Sequence, residues 1–147
     1  MLNLTENKLD VETYLSLREQ VGWARLTHRQ AECALKNCLF NVCAYLDGRP
    51  VGMGRVVGDG AVISYIQDLV VVPDAQGQHI GSAILTKLKQ YVEDITEPGT
   101  RMMLCLMCAK GRESFYESHG FIARPTDKLG PGMIIYLDKY RFSELNI

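Results

Sequence analysis

Apolar and polar positions along this chain follow two periods. Residues 39–46 (LFNVCAYL), 50–57 (PVGMGRVV) and 62–72 (VISYIQDLVVV) are apolar runs rich in β-branched side chains, and each reads as a strand. Asp47-Gly48 and Asp59-Gly60 separate them, and Asp-Gly between two such runs signals a hairpin. Gly52 and Gly54 weaken the second run or mark a close backbone approach. The period then changes. Ile80, Ile84, Leu88, Tyr91 or Val92, and Ile95 recur every three or four positions, which predicts a helix over 80–95. Glu97-Pro98-Gly99 ends it. Residues 102–108 form another apolar run, a buried strand, and a right-handed crossover sets it parallel to 62–72. A short helix around 112–118 follows and breaks at His119-Gly120. Residues 121–123 and 133–137 read as two last strands around a loop at 126–132.

The first forty residues carry weaker patterns. A short strand is expected at 3–8. Asp10 can cap a helix running to about Gln20, with Val11, Tyr14, Leu15 and Val21 on one side. Thr27 with Gln30 spells a capping box for a helix over 28–37 that buries Ala31, Ala34 and Leu35. Trp23, the only tryptophan, lies between these helices and reads either as a substrate wall or as a core aromatic.

Composition narrows the class. The chain has 147 residues, 47% apolar and 22% charged, which suits one globular domain over 1–147 with a real core. A net charge of −1 argues against nucleic acid as a partner. No apolar run approaches the roughly 20 residues of a membrane span, and the first residues lack the basic start and apolar run of a signal peptide. The five cysteines (33, 38, 43, 105 and 108) lie in otherwise apolar segments. Cys105 and Cys108 would project to opposite faces of a strand, so no metal site is expected. All five read as small core hydrophobes in a reducing cytoplasm.

The chemistry concentrates at residues 70–85, VVVPDAQGQHIGSAIL. A strand stops at Pro73, a turn follows, and a helix starts near Ile80 with Gly81, Ser82 and Ala83 in its first turn. Small side chains leave the first helical amides bare, and these carry the positive end of the helix dipole. Such a start cradles an anion, most naturally a phosphate or pyrophosphate. The nucleotide-binding Gly-Lys-Ser/Thr triplet is absent, as is Gly-x-Gly-x-x-Gly. The text instead resembles the acetyl-CoA motif of the GNAT superfamily of N-acetyltransferases, Gln/Arg-x-x-Gly-x-Gly/Ala. Gln76-x-x-His79-x-Gly81 fits with histidine in place of the first glycine. Gln78-x-x-Gly81-x-Ala83 matches every letter but sits two residues late relative to Pro73. The first register keeps the order of strand, proline and Gln-Gly.

A second resemblance follows. Phe115-Tyr116-Glu117-Ser118-His119-Gly120-Phe121 is similar to the F-Y-E-x-x-G-F that GNAT members often carry after the strand that follows the cofactor helix. The resemblance covers roughly residues 38–137. It implies an α/β (α+β) GNAT fold: a mixed central sheet of six to seven strands with about four helices, whose two central parallel strands splay at the cofactor site. It also implies an N-acetyltransferase with acetyl-CoA as cosubstrate, held by Leu69, Val70, Val71, Gln76, Gly77, Gln78, His79, Ile80, Gly81, Ser82 and Tyr116. In this reading backbone amides of Leu69, Val70 and Val71 polarise the thioester carbonyl. Tyr116, a phenol protonated at neutral pH, is the general acid for the leaving thiolate.

The general base is open. Asp68 is polar within an apolar strand and is the candidate, directly or through a water; the alternative is a buried carboxylate pinning a loop by hydrogen bonds. Tyr65 and Gln67 are further lining candidates. His28 and His119 read as surface groups, and His79 as a phosphate contact. Lys87, Lys89, Lys110 and Arg112 are either contacts to the CoA phosphates or a solvated face. Arg25 beside Trp23 is a candidate for an anionic group on the acceptor. The acceptor expected from the resemblance is a primary amine of a small molecule. The alternatives are a protein or peptide amine, or a non-catalytic acyl-CoA sensor on the same cradle. Dimers are common in the family, which makes the last strand and residues 138–147 candidate homodimer interface.

Overall fold

A computed structural model describes residues 1–139 of the chain. It divides into two compact units, Met1–Met107 and a second beginning at Cys108.

The first unit holds the sheet. Strands β1 (Leu2–Glu6), β2 (Phe40–Leu46), β3 (Arg49–Gly58), β4 (Ile63–Val71) and β5 (Met103–Leu106) lie side by side in chain order. The first four are antiparallel, and β5 is parallel to β4. Helices α1 (Val11–Gln20) and α2 (His28–Asn37) come before β2, and α3 (Ile80–Ile95) carries the crossover from β4 to β5. The turn residues Asp47 and Gly48 have φ of 51° and 83°, as a two-residue hairpin with matching twist requires. Asp10 caps α1 by accepting from the Thr13 amide at 2.8 Å. Thr27 and Gln30 close the predicted capping box around the start of α2.

The core lies on both faces of β2 and β3. Helix α3 packs across β2, β3 and β4, and α1 packs on β3 and β4. Ile80, Ile84, Leu85, Leu88 and Val92 of α3 are buried, and Ile84 and Leu88 meet the face of β3 that carries Gly52 and Gly54. Gly52 and Gly54 permit that approach. A Cβ at Gly52 would sit 2.8 Å from the Val70 oxygen and 2.9 Å from Ile84 Cδ1. One at Gly54 would lie 2.7 Å from Leu88 Cδ1. Burial on α1 falls on Tyr14 and Leu17 rather than on Val11 and Leu15, and on α2 on Ala31 alone. Of the cysteines only Cys43 is a core residue; all five are free thiols, and Cys33 and Cys108 are exposed.

The second unit contains α4 (Glu113–Glu117). Phe121 N–H donates to Tyr116 O at 3.1 Å and Gly120 N–H to Glu117 O at 3.0 Å. Gly120 has φ of 92°, and the Tyr116 and Phe121 rings meet edge to face at 5.8 Å. This is a Schellman ending with its hydrophobic contact, and it accounts for the glycine and the second phenylalanine of the F-Y-E-S-H-G-F stretch.

The sheet is smaller than expected. Among the described residues it has five strands, not six to seven, and 121–123 and 133–137 are not strands. An apolar run becomes a strand only when a neighbour supplies a ladder, and Ile122, Met133, Ile134, Ile135, Tyr136 and Leu137 are exposed instead. The expected interface tail reaches beyond the described residues from position 140 onward.

Candidate active site

The site is built on an interruption in β4. Met53 pairs with Val70, but Arg55 pairs with Gln67, so one extra residue is accommodated in β4 opposite Gly54. Asp68 absorbs the bulge with φ of 59°, in the left-handed region. Aspartate tolerates that conformation better than most residues. On the other side of β4, the parallel ladder to β5 ends at Ile66–Leu106. Beyond it the two strands part, and residues 67–71 have no β5 partner. The Met107 amide, the first past β5, donates to Tyr65 Oη at 3.2 Å. The stretch holding Leu69, Val70 and Val71 therefore presents backbone toward the opening, as a site that polarises a carbonyl needs.

Asp68 is 4% exposed and accepts three hydrogen bonds. Tyr14 Oη donates to Oδ2 at 2.5 Å, Arg55 Nε to Oδ2 at 2.9 Å, and Arg18 Nη1 to Oδ1 at 2.7 Å. The donors come from α1 and β3, so one carboxylate ties two elements to the bulge. Arg55 also donates to Ala34 O of α2 at 3.1 Å, and Arg18 to Ala24 O at 3.2 Å. The Arg18 guanidinium lies 5.2 Å from the Trp23 ring centre and 5.8 Å from that of Tyr14. Trp23 is thus neither core nor free; it is 40% exposed and covers Arg18. Burial, then the hydrogen bond to Asp68, pushes the Tyr14 phenol up to about 12. Burial, the largest single influence, pulls Arg55 down, but the charge of Asp68, the neighbouring Tyr14 and the hydrogen bond to Asp68 together outweigh it, and the net shift is upward. The cluster is two guanidinium cations, one carboxylate and a neutral phenol.

Beyond the bulge, Val72 N–H returns to Val51 O and a 3-10 turn spans Pro73–Ala75. Gln76 donates its side-chain amide to Val71 O at 2.9 Å, bracing the loop against the end of β4. Asp74, the one acidic residue of the turn, is paired with Arg49 at 3.1 Å. Gly77 and His79 both have positive φ, 79° and 63°. His79 is the N-cap of α3 and makes no side-chain cap bond; the first turn of α3 carries no acidic residue. The left-handed φ explains the departure from the motif. Glycine suits this position because a Cβ there costs about 1 kcal/mol, and histidine is among the residues that bear it more readily.

The structure thus brings Leu69, Val70 and Val71 and the loop from Gln76 to Ser82 into consecutive elements of the first unit. Tyr116 lies in the second unit, within a cluster that includes Phe115 at 5.1 Å and Phe121. Lys87 pairs with Glu6 at 3.2 Å, and His28 lies between Glu12 and Glu32 on the surface. Tyr14, Arg18 and Arg55 had escaped the sequence reading as site residues. Two signals pointed to them: Arg55 is a lone cation in an apolar strand beside the strand of Asp68, and Tyr14 and Arg18 stand four apart on one helix face.

A family profile described as an acetyltransferase (GNAT) domain matches residues 37–123. A solved Staphylococcus aureus protein of unknown function, described as a probable acetyltransferase, is 32% identical with a TM-score of 0.81, over 93% of this chain and 100% of that one. An uncharacterised N-acetyltransferase of the ycf52 type from Prochlorococcus marinus is 28% identical over 80% of this chain; the chain spans 65% of that relative's length. A chloroplastic serotonin N-acetyltransferase of Oryza sativa is 29% identical, over 80% of this chain and 58% of its own. A histone acetyltransferase of Glycine max is 28% identical, over 80% and 54%. Among the described residues no helix is long and apolar enough to cross a membrane.

Proposed function

Since this chain belongs to the GNAT acetyltransferase family, we propose that it moves the acetyl group of acetyl-CoA to a primary amine of a small molecule by direct attack on the thioester. The observation that carries this reading is the bulge at Asp68 followed by the uncapped, left-handed entry to α3. The first feature leaves β4 backbone facing the splay. The second presents amides with no acidic neighbour in the first helical turn, and Arg49 neutralises the nearest turn carboxylate. A pyrophosphate suits such a surface on charge.

In the proposed mechanism, amides between Gln76 and Ser82 hold the pyrophosphate, and backbone of Leu69, Val70 and Val71 stabilises the carbonyl oxygen as it gains charge. The neutral amine attacks the carbonyl carbon, and the C–S bond breaks as the tetrahedral intermediate collapses. Tyr116 gives its phenolic proton to the departing thiolate, and the proton released by the amine passes to solvent and restores the phenol. Asp68 acts here as a positioning residue. Its oxygens are already taken up by Tyr14, Arg18 and Arg55, which ties the carboxylate into the bulge. The chain works in a reducing compartment, read as the cytoplasm.

The acceptor class is tested by incubating the protein with acetyl-CoA and, separately, polyamines, amino sugars, arylalkylamines and a lysine peptide, while following free thiol. Release with a small amine supports the reading. Release with the peptide alone points to protein acetylation. CoA binding with no release on any amine points to a sensor.

A further inference from the structure

Among the described residues, one buried side-chain nitrogen or oxygen has no hydrogen-bond partner, and it is Nε of Arg18. Buried donors are nearly always paired, because an unmade bond costs the full desolvation of the group. The same guanidinium carries a second imbalance. Arg18 and Arg55 share a single carboxylate, Asp68, and the Tyr14 phenol beside them is neutral. One positive charge is left over among side chains that are 13%, 8% and 0% exposed. A buried charge needs a counter-charge.

Both imbalances fall on one edge of one group. Asp68 takes Nη1 of Arg18 at 2.7 Å. Nε and Nη2 form the side of the guanidinium that grips a carboxylate through two parallel hydrogen bonds. Here Nη2 donates to Ala24 O at 3.2 Å, the long end of the normal range, and Nε donates to nothing. A backbone carbonyl offers one oxygen and fills one prong of the fork. Trp23, 40% exposed, lies over the guanidinium at 5.2 Å. Trp23 is thus the cover of this edge, and the Ala24 carbonyl is half of a ligand for it.

We propose that Arg18 receives a carboxylate carried by the small-molecule amine, which displaces the Ala24 carbonyl, takes Nε and Nη2 together and shifts Trp23. The identity of the carrier as acceptor rests on the acetyltransferase reading; the site itself does not. A carboxylate matches the planar fork and brings the single negative charge that the cluster lacks, whereas a phosphate monoester brings nearly two. Asp68 immediately precedes Leu69, so a short chain held at Arg18 puts its amine beside the β4 backbone proposed to meet the thioester. Arg25, the cation that the sequence suggested for an anion, is exposed; the buried, unpaired donor is on Arg18.

Trp23 is the only tryptophan, so its fluorescence reads the site without catalysis. The full chain is titrated with glycine, β-alanine and γ-aminobutyrate, and with the amide of each. At least one acid should shift the emission and bind at least about tenfold tighter than its amide. Arg18→Lys keeps the charge and loses the fork; checked for folding by circular dichroism, it should erase that preference. An acid bound no tighter than its amide in wild type overturns the proposal. So does a preference that survives Arg18→Lys, or one that Arg25→Ala removes and Arg18→Lys does not. Should Arg18→Lys fail to fold, the Nε proton resonance of Arg18 in wild type decides. It should move downfield with the acid and not with the amide, and an unmoved resonance overturns the site. Thiol release from acetyl-CoA is followed separately. Preferred acids with no thiol release keep the site and remove the acetyltransferase reading. Equal release from acids and amides, with Trp23 emission unchanged, keeps that reading and overturns the site.

Discussion

Arg55 of β3 donates its Nε proton to Oδ2 of Asp68 in the neighbouring strand at 2.9 Å. Both groups are buried, at 7% and 4% exposure, and the contact sits where the register between their strands shifts. The ion pair is thus part of how the bulge is held. Removing one partner of a buried pair typically costs 3–5 kcal/mol. Arg55→Met should lower the unfolding free energy by about 3 kcal/mol in urea titration, and Asp68→Asn by at least as much, since it leaves two cations facing a neutral amide. A loss below about 1 kcal/mol in both would mean that the bulge does not depend on this contact.

The Tyr14 phenol, raised to about 12 from an ordinary 10, gives a pH prediction with a definite sign. The folded protein holds this proton more tightly than the unfolded chain. The contribution is therefore complete below pH 10 and is lost as pH rises toward 12. Urea midpoints measured from pH 9 to pH 11.5 should fall in wild type over that window. Tyr14→Phe should be about 1–2 kcal/mol less stable at neutral pH, for loss of a hydrogen bond to a charged group. It should also show a flatter fall above pH 10; an unchanged slope would remove Tyr14 as the titrating group.

Gly54 is a packing prediction. Its missing Cβ lies where Leu88 Cδ1 and Ile84 Cγ2 already sit, at 2.7 and 3.0 Å. Gly54→Val should cost about 1–3 kcal/mol through overpacking between β3 and α3. Thermal unfolding should show a lower midpoint, and no change would place α3 farther from the sheet.

Gly81 tests the cradle separately from the fold. It is in the first turn of α3, which carries no acidic residue. Gly81→Asp adds a carboxylate where an anion is proposed to bind, although a first-turn carboxylate suits the helix dipole. Calorimetric titration should show CoA affinity reduced at least about 100-fold, more than 2.7 kcal/mol, with a thermal midpoint near that of wild type. Normal affinity would move the cradle elsewhere.

Much of the frame was legible in the sequence because it depends on near neighbours. The Asp-Gly turns, the Thr27–Gln30 box, the apolar stripe of α3 and the close approach at Gly52 and Gly54 all appear in the structure. The lone Asp68 in an apolar strand was visible too, with its two readings. What escaped was long-range. Arg18 is 50 residues from Asp68 and Tyr14 is 54 away, and no local pattern pairs them. The strands expected at 121–123 and 133–137 illustrate the opposite error. Their apolar runs are real, but a ladder needs a partner that composition does not supply.

The account rests on amides between Gln76 and Ser82 gripping a pyrophosphate and so delivering an acyl sulfur to Tyr116. A crystal structure with CoA bound tests this most directly. The prediction is diphosphate oxygens within hydrogen-bond reach of those amides and the sulfur next to Tyr116 Oη. A diphosphate seated on another surface, or a phenol turned away from the sulfur, would contradict it.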